Sequence, residues 1–263
     1  MNYETIALDV DGRGIARLTL NRPEKHNALN GQLIAEMTNA AGQLASDGSV
    51  RVVVLSGEGN SFCAGGDFNW FQTNAGADRL TRSDEGGKLA HMLRQLNNLP
   101  KPVIGRVQGA AYGGGVGMIS VCDITVGVET ARFGLTEVRL GLIPATISPY
   151  VVARIGSANA RATMLSGALF SAERAEKMGL LNEVVADDDL DTRIDEIVAD
   201  HLEAALGAVG ETKRLIAFVD SHGSDENLMY TTDRLADAWE TEEGQLGINA
   251  FLNKQLPPWR SRT

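Results

Sequence analysis

The segment that decides the fold runs from residue 102 to residue 128 and reads PVIGRVQGAAYGGGVGMISVCDITVGV. Pro102–Val107 and Asp123–Val128 are short runs rich in β-branched residues, which is typical of strands buried on both faces. Between them lies a glycine-rich turn, followed by a predicted helix that opens at Gly115. Strand, helix and strand in this order indicate a crossover between parallel strands. The segment therefore predicts an α/β fold in which helices cover a parallel or mixed sheet.

The sequence before this segment predicts a hairpin, a helix and one more buried strand. Thr5–Leu8 and Ile15–Leu20 alternate apolar and polar residues on either side of a Gly-Arg-Gly turn, as the strands of a hairpin do. Asn30 is a predicted N-cap, because apolar residues follow it at helical spacing, namely Leu33, Ile34, Met37, Ala41 and Leu44. Val50–Ser56 is a β-branched run that leads into a loop.

Two stretches outside the strands complete the predicted organisation. The polar composition of Gln72–Asp84 predicts a mobile loop, and a helix is predicted from Glu85 to Leu96. From Asp187 onward the strand patterns disappear. We therefore predict a core over residues 1–190 and a helical region over residues 191–263. The apolar residues of that region recur at helical spacing and must pack on the core or on another subunit: Leu215, Ile216, Val219, Leu235 and Trp239.

The charge balance narrows the classes of partner. Thirty-four acidic residues against 24 basic ones give a net charge of −10, which opposes binding to nucleic acid or to an anionic membrane. No apolar run approaches the ~20 residues of a membrane span, and the first residues lack the features of a secretory signal. The two cysteines, Cys63 and Cys122, are too few for a disulfide scaffold or a structural zinc site. We expect a soluble cytoplasmic protein that holds no metal.

The catalytic potential of the sequence lies in two glycine-rich loops. Four scattered histidines and the absence of a Gly-x-Ser-x-Gly or His-Glu-x-x-His motif make a histidine-based hydrolase an unfavourable interpretation. Gly59–Asp67 and Gln108–Gly117 each follow a predicted buried strand. Loops of small residues at neighbouring strand ends can supply one N–H each to a single oxygen and form an oxyanion hole. The same residues are also compatible with two tight turns.

Three motifs closely resemble those of the crotonase superfamily, the enoyl-CoA hydratases and isomerases: Asn21–Asn30, Phe62–Asp67 and Gly109–Asp123. The resemblance covers about Ile15 to Val185 and continues in order through Ala131–Glu137, Leu140–Pro144 and Ala172–Gly179. It implies a crotonase-like ββα spiral core, a C-terminal helical trimerisation region and an acyl-CoA thioester substrate. No cofactor is implied beyond the coenzyme A moiety of that substrate. The implied assembly is a homotrimer or a dimer of trimers.

The resemblance also implies the roles of individual residues. The oxyanion hole falls on the backbone N–H groups of Ala64 and Gly114, and the acid–base residue is Glu137. The apolar segment Phe133–Leu135 just before Glu137 is expected to desolvate its carboxyl group and raise its pKa. Trp70 and Phe71 are expected to border the acyl group. Coenzyme A is expected to bind near Lys25, His26, Ala28 and Gly66, with Phe251 and Lys254 reaching its nucleotide from the C-terminal region.

One position departs from the pattern of the hydratases. They typically carry a first glutamate two residues after the glycine triplet, where this chain has Gly117. With one carboxylate, a hydratase and a Δ3,Δ2-enoyl-CoA isomerase both remain open, and so does a non-catalytic crotonase-like binding protein. The stretch 138–150 is similar to hydratases of branched glutaconyl-CoA thioesters in leucine or acyclic-terpene breakdown. We expect Gly117 to leave room for a 3-branched acyl group, with Ser148 and Tyr150 offering hydroxyls to a second carboxylate.

Overall fold

The computed structural model describes residues 3–260, which form a spiral of two sheets covered by helices. In chain order the strands are β1 (Ile6–Val10), β2 (Ile15–Leu20), β3 (Val52–Gly57), β4 (Ser61–Cys63), β5 (Val103–Val107), β6 (Ala110–Tyr112), β7 (Ile124–Val128), β8 (Arg132–Gly134), β9 (Phe170–Ser171) and β10 (Glu183–Val185). The helices are α1 (Gly31–Ser46), α2 (Phe68–Gly76), α3 (Arg79–Asn97), α4 (Gly114–Ser120), α5 (Ser148–Met164), α6 (Ala172–Lys177), α7 (Leu190–Leu202), α8 (Leu206–Ser221), α9 (Ser224–Glu240) and α10 (Glu242–Leu252).

The strands divide into a large and a small sheet. The large sheet has the order β1-β2-β3-β5-β7-β10, and only its first pair is antiparallel. The small sheet has the order β4-β6-β8-β9, and its first three strands are parallel. Buried valines and isoleucines make β3 and β5 suitable for the middle of the large sheet, where both faces are covered.

Each turn of the spiral repeats one pattern. A strand in the large sheet is followed, after a short loop, by a strand in the small sheet, and then by helix. The three turns begin with β3–β4, β5–β6 and β7–β8. This arrangement confirms the predicted ββα spiral and the α/β fold class.

The predicted N-terminal elements are confirmed, but the predicted loop over Gln72–Asp84 is wrong. The Asn30 side chain accepts a hydrogen bond from the N–H of Leu33 and caps α1, as expected. The supposed loop instead contains the end of α2 and the start of α3, whose N-cap Asp78 accepts from the N–H of Thr81. Apolar periodicity does not reveal α2, which buries no residue, or the first half of α3. The second half of α3 buries apolar residues and confirms the helix predicted over Glu85–Leu96.

The C-terminal quarter is helical, as predicted, but its helices differ in burial. Helix α7 packs on the large sheet and buries Leu190, Ile194, Ile197, Val198 and Leu202. Helices α8 and α10 each bury a single small residue, and α9 buries none. Their apolar side chains are therefore exposed, including Ile216 at 64%, Leu235 at 61% and Trp239 at 57%. The boundary at residue 190 stays a prediction, since α7 lies on the core that precedes it.

None of the helices within residues 3–260 combines the length and the apolar character that a bilayer crossing requires.

Candidate active site

A cavity of about 420 Å³ lies where the three turns of the spiral meet α3 and the segment before α5. Because β4, β6 and β8 run parallel and are neighbours, the loops that follow them emerge at one edge of the small sheet. These loops bring Gly66, Gly114 and Glu137 into the wall of one cavity. Most of the remaining wall is apolar: Leu29, Ile34, Trp70, Phe71, Leu89, Leu140, Leu142, Ile143, Pro144, Ala145 and Ile147.

The structure corrects the prediction that Ala64 supplies an oxyanion donor. The Ala64 N–H donates a hydrogen bond of 2.9 Å to the carbonyl of His26. A donor already engaged by a backbone acceptor cannot also bind a ligand oxygen with good geometry. Ala64 lines the cavity, but its N–H ties the loop after β4 to the turn that carries His26.

At the cavity, the N–H groups of Gly66 and Gly114 have no acceptor among the described residues. Gly66 forms a bridge with Leu29 in which the Leu29 N–H bonds the Gly65 carbonyl and the Asp67 N–H bonds the Leu29 carbonyl. This pattern uses the groups on both sides of Gly66 and leaves its own N–H unused. Gly114 is the first residue of α4, where a helix leaves its N–H groups without internal partners.

Glu137 begins a short 3-10 helix after β8 and turns a partly buried carboxyl group toward this region. Its Oε1 lies 2.9 Å from the point where a side chain on residue 113 would place Cβ. Gly113 has a φ of 47° and faces this carboxylate, so the position requires glycine on both counts. Among the described residues, the buried Oε2 has no hydrogen-bond partner. Burial raises the pKa of Glu137, as expected from the apolar residues around it.

A buried ion pair joins the segment before α1 to the loop after β4. The Arg22 guanidinium bonds the Asp67 carboxylate at 2.9 Å and also donates to the Ala28 carbonyl. Burial alone would raise the pKa of Asp67, but its hydrogen bonds with Arg22 and with the N–H of Asn69 lower it. Asp67 caps α2, as the sequence indicated, and Arg22 holds that cap against the segment that carries Ala28.

The residues predicted to bind coenzyme A fall into two groups in the structure. Ala28 and Gly66 lie on segments that bond each other beside the cavity, and Lys25 and His26 lie on the exposed turn just before them. Phe251 and Lys254 lie at the end of α10, which packs on α8 and α9, and neither lines the cavity of its own chain. Phe251 is 78% exposed. A single chain therefore brings together only the first group.

The predicted space at Gly117 does not exist, and this expectation was wrong. Gly117 is buried in α4, and a Cβ there would lie 2.9 Å from Cβ of Ile147 and closer still to its Cγ2. Ile147 is 2% exposed and lines the cavity in front of Gly117. The room left by the missing glutamate is thus filled by a residue 30 positions further along the chain.

Some of the other residues predicted to border the site line the cavity, and some do not. Trp70 and Phe71 line the cavity, as expected. Ser148 and Tyr150 do not; the Ser148 hydroxyl donates to the carbonyl of Ala145. Cys63 is buried, and burial raises the pKa of its thiol to about 12, which removes it as a nucleophile near neutral pH.

Sequence reasoning missed two contributions to this site. The motif favours Ala64 as the donor over Gly66, two residues later; the hydrogen bond of Ala64 to His26 and the bridge of Gly66 with Leu29 distinguish them. The second contribution is that of Ile147, which no local sequence pattern links to Gly117. A covariation between positions 117 and 147 in related chains would be the signal to look for.

The cavity and the spiral fold agree with comparisons to known proteins. Residues 11–262 match the family described as enoyl-CoA hydratase/isomerase. A probable enoyl-CoA hydratase of Mycobacterium tuberculosis is 32% identical over 265 residues that cover 100% of both chains. The mevalonyl-coenzyme A hydratase of Aspergillus fumigatus is 34% identical over 94% of this chain and 91% of its own.

A solved structure gives the same result. An enoyl-CoA hydratase from Shewanella pealeana superposes with a TM-score of 0.94 at 34% identity, covering 97% of this chain and 96% of that chain. The family match covers nearly the whole length of the chain, and the superposition shows that the spiral fold is shared. The chain belongs to the enoyl-CoA hydratase/isomerase family.

Proposed function

We propose that the protein is an enoyl-CoA hydratase, which adds water across the 2,3-double bond of an acyl-CoA thioester. The observation that carries this proposal is the meeting, in one cavity, of the unused backbone N–H groups of Gly66 and Gly114 and the partly buried carboxylate of Glu137, whose Oε2 has no hydrogen-bond partner among the described residues. The two N–H groups can donate hydrogen bonds to a thioester oxygen that gains negative charge. The carboxylate can accept a proton from a water molecule.

The N–H groups of Gly66 and Gly114 are the proposed oxyanion hole. When hydroxide adds to C3 of the enoyl group, electrons shift through C2 and the carbonyl to the thioester oxygen. Two fixed N–H donors stabilise this enolate without reorganising. Gly114 carries its donor at the N-terminus of α4, and the Arg22–Asp67 ion pair fixes the loop that carries Gly66.

Glu137 is the proposed acid and base. Its carboxylate accepts a proton from water while the water oxygen bonds to C3, and the glutamic acid then returns that proton to C2. The product is a 3-hydroxyacyl thioester, and the enzyme ends in its initial protonation state. A pKa above that of an ordinary glutamate suits both steps, because the group must accept and donate a proton in one cycle.

The described cavity gives no support to a glutaconyl-type substrate. A glutaconyl group carries a second carboxylate, but no lysine, arginine or histidine lines the cavity, and its one charged group is Glu137. Burying a carboxylate there without a counterion is unfavourable. We therefore propose an uncharged, apolar acyl group.

A panel of thioesters tests the proposed function. Crotonyl-CoA should lose the absorbance of its conjugated enoyl group as it is hydrated, and 3-methylglutaconyl-CoA should react more slowly. A 3-enoyl-CoA that gains this absorbance would instead identify an isomerase. Thioester binding without any turnover would identify a non-catalytic binding protein.

The exposed apolar surface of α8–α10 supports a proposed homotrimer, or a dimer of trimers. A patch of this kind on one chain is typical of a subunit interface. In such an assembly Phe251 and Lys254 would bind the nucleotide of a coenzyme A held by a neighbouring subunit, together with Lys25, His26 and Ala28 of that subunit. No cofactor beyond the coenzyme A moiety is proposed.

Light scattering tests the assembly. The expected mass is three or six times the 28.1 kDa of one chain. Trp239→Asp should lower it, because a carboxylate replaces an apolar side chain that is 57% exposed in the single chain. Val10→Asp, on an exposed position of β1, is the matched control and should leave the mass unchanged. A 28.1 kDa species across micromolar concentrations would refute the proposal.

A further inference from the structure

Ile147 stands between the cavity and the buried face of α4. It is 2% exposed, and it contributes to the cavity wall together with Ala145 and Thr146. Behind it lies Gly117, whose missing side chain leaves just enough room for the isoleucine to pack against the helix. Ile147 is therefore fixed by a close contact on the side away from the cavity.

The backbone of Ile147 is held as firmly as its side chain. Its carbonyl accepts the N–H groups of Tyr150 and Val151 in the first turn of α5. A β-branched side chain has few accessible rotamers, and the contact with Gly117 blocks movement toward α4. A bulky ligand group cannot push Ile147 aside without moving α4 or α5.

The position of Ile147 relative to the proposed oxyanion hole identifies the part of the substrate it meets. Gly117 follows Gly114 by three residues of α4, which is about 4.5 Å along the helix axis. If the thioester oxygen binds the N–H of Gly114, C3 lies two bonds from the carbonyl carbon and within one helical turn of that oxygen. A substituent on C3 that points toward α4 then meets the Ile147 side chain.

We propose that Ile147, supported by Gly117, is the specificity-determining residue that closes the acyl pocket beside C3 and selects unbranched over 3-branched enoyl thioesters. This inference rests on the proposed hydratase function. The sequence predicts that Gly117 leaves room for a branched substrate. In the structure the glycine instead accommodates the side chain of Ile147, so the inference is the opposite of that prediction.

The first experiment compares crotonyl-CoA with 3-methylcrotonyl-CoA, which differ by one methyl group on C3. Ile147→Ala should raise the ratio of kcat/KM for the branched over the unbranched thioester by about 10–200-fold, the range that one methyl group produces in an apolar pocket. Ile143→Ala is the matched control: it removes the same atoms from a cavity residue that is 74% exposed and does not pack on Gly117. It should change the ratio less than about 3-fold. An unchanged ratio in Ile147→Ala would overturn the inference.

The second experiment tests the support from Gly117. Gly117→Ala places a methyl group against Ile147 and should push it into the cavity, lowering kcat/KM for crotonyl-CoA by about 10-fold. The double variant Gly117→Ala with Ile147→Gly removes the conflict and should recover most of that loss. Equal loss in the single and double variants would show that the two positions are not coupled. Thermal unfolding of each variant identifies a loss caused by misfolding.

A binding measurement separates this inference from the proposed function. Butyryl-CoA and 3-methylbutyryl-CoA are saturated and cannot be hydrated, so their Kd values report pocket shape alone. Ile147→Ala should shift the ratio of these Kd values toward the branched thioester. A shifted ratio in a protein that hydrates no thioester would refute the hydratase and keep the pocket assignment. An unshifted ratio in an active hydratase would do the reverse.

Discussion

Glu137→Gln is expected to lower kcat for crotonyl-CoA by about 10²–10⁴-fold, the usual contribution of a positioned acid–base group. Glutamine keeps the size and polarity of the side chain but cannot accept a proton from water or return one to C2. The Kd of butyryl-CoA should change little, because the proposed oxyanion donors are backbone groups elsewhere in the cavity. Turnover within a few-fold of the wild type would remove Glu137 from the mechanism.

The pH profile of the wild type gives an independent check on the same residue. Because burial raises the pKa of Glu137, the carboxylate is protonated at a higher pH than an ordinary glutamate, whose pKa is about 4.3. Its base form is therefore lost as the pH falls through the raised value, and kcat/KM should fall with it. This acid limb should be absent from the residual activity of Glu137→Gln. An acid limb that persists unchanged in the variant would assign the titration to another group.

Gly114→Pro is expected to lower kcat by about 10²–10³-fold, the loss measured when one oxyanion donor is removed from an enzyme. Proline has no N–H, and the first position of a helix tolerates it because that N–H has no partner inside the helix. The substitution therefore removes the proposed donor with limited effect on α4 itself.

Gly114→Ala is the matched control for the proline variant. Both variants place a Cβ 2.5 Å from Cδ1 of Leu29, so both require the same adjustment of that leucine side chain. Only proline also removes the N–H. The ratio of kcat between the two variants, with melting curves for each, reports the loss of the N–H together with the ring Cδ that takes its place. Equal activities would show that the Gly114 N–H does not stabilise the thioester oxygen.

The elements that sequence reasoning placed correctly share a local cause. The hairpin, the strands β3, β5 and β7, and the cap at Asn30 all follow from apolar periodicity or from one side chain near its own backbone. Helix α2 and the first half of α3 were not predicted because they bury no residue in the core, whereas the second half of α3 was predicted as Glu85–Leu96. Periodicity reports burial, so a helix that buries little cannot be found by it.

The errors at the site have a different cause. Whether Ala64 or Gly66 offers a free N–H depends on the pairing of that loop with His26 and Leu29, which lie more than 30 residues earlier. Whether Gly117 leaves room depends on Ile147, which lies 30 residues later at the start of α5. The sequence pointed to the two loops that meet at the cavity and to Glu137 in its wall. It could not determine which backbone group each long-range contact had already used.

The order of the small sheet sets the spacing of the proposed chemistry. Gly66, Gly114 and Glu137 follow β4, β6 and β8, which are adjacent parallel strands. Neighbouring strands lie about 4.8 Å apart because of backbone hydrogen bonding, whatever side chains they carry. The backbone of the sheet therefore sets the spacing between the loops that carry these three residues. Substitutions in the cavity wall can change which acyl chain fits while the distances between the two donors and the carboxylate stay nearly constant. Substrate choice and reaction geometry are therefore separable properties of this scaffold, and they can diverge independently as its sequence changes.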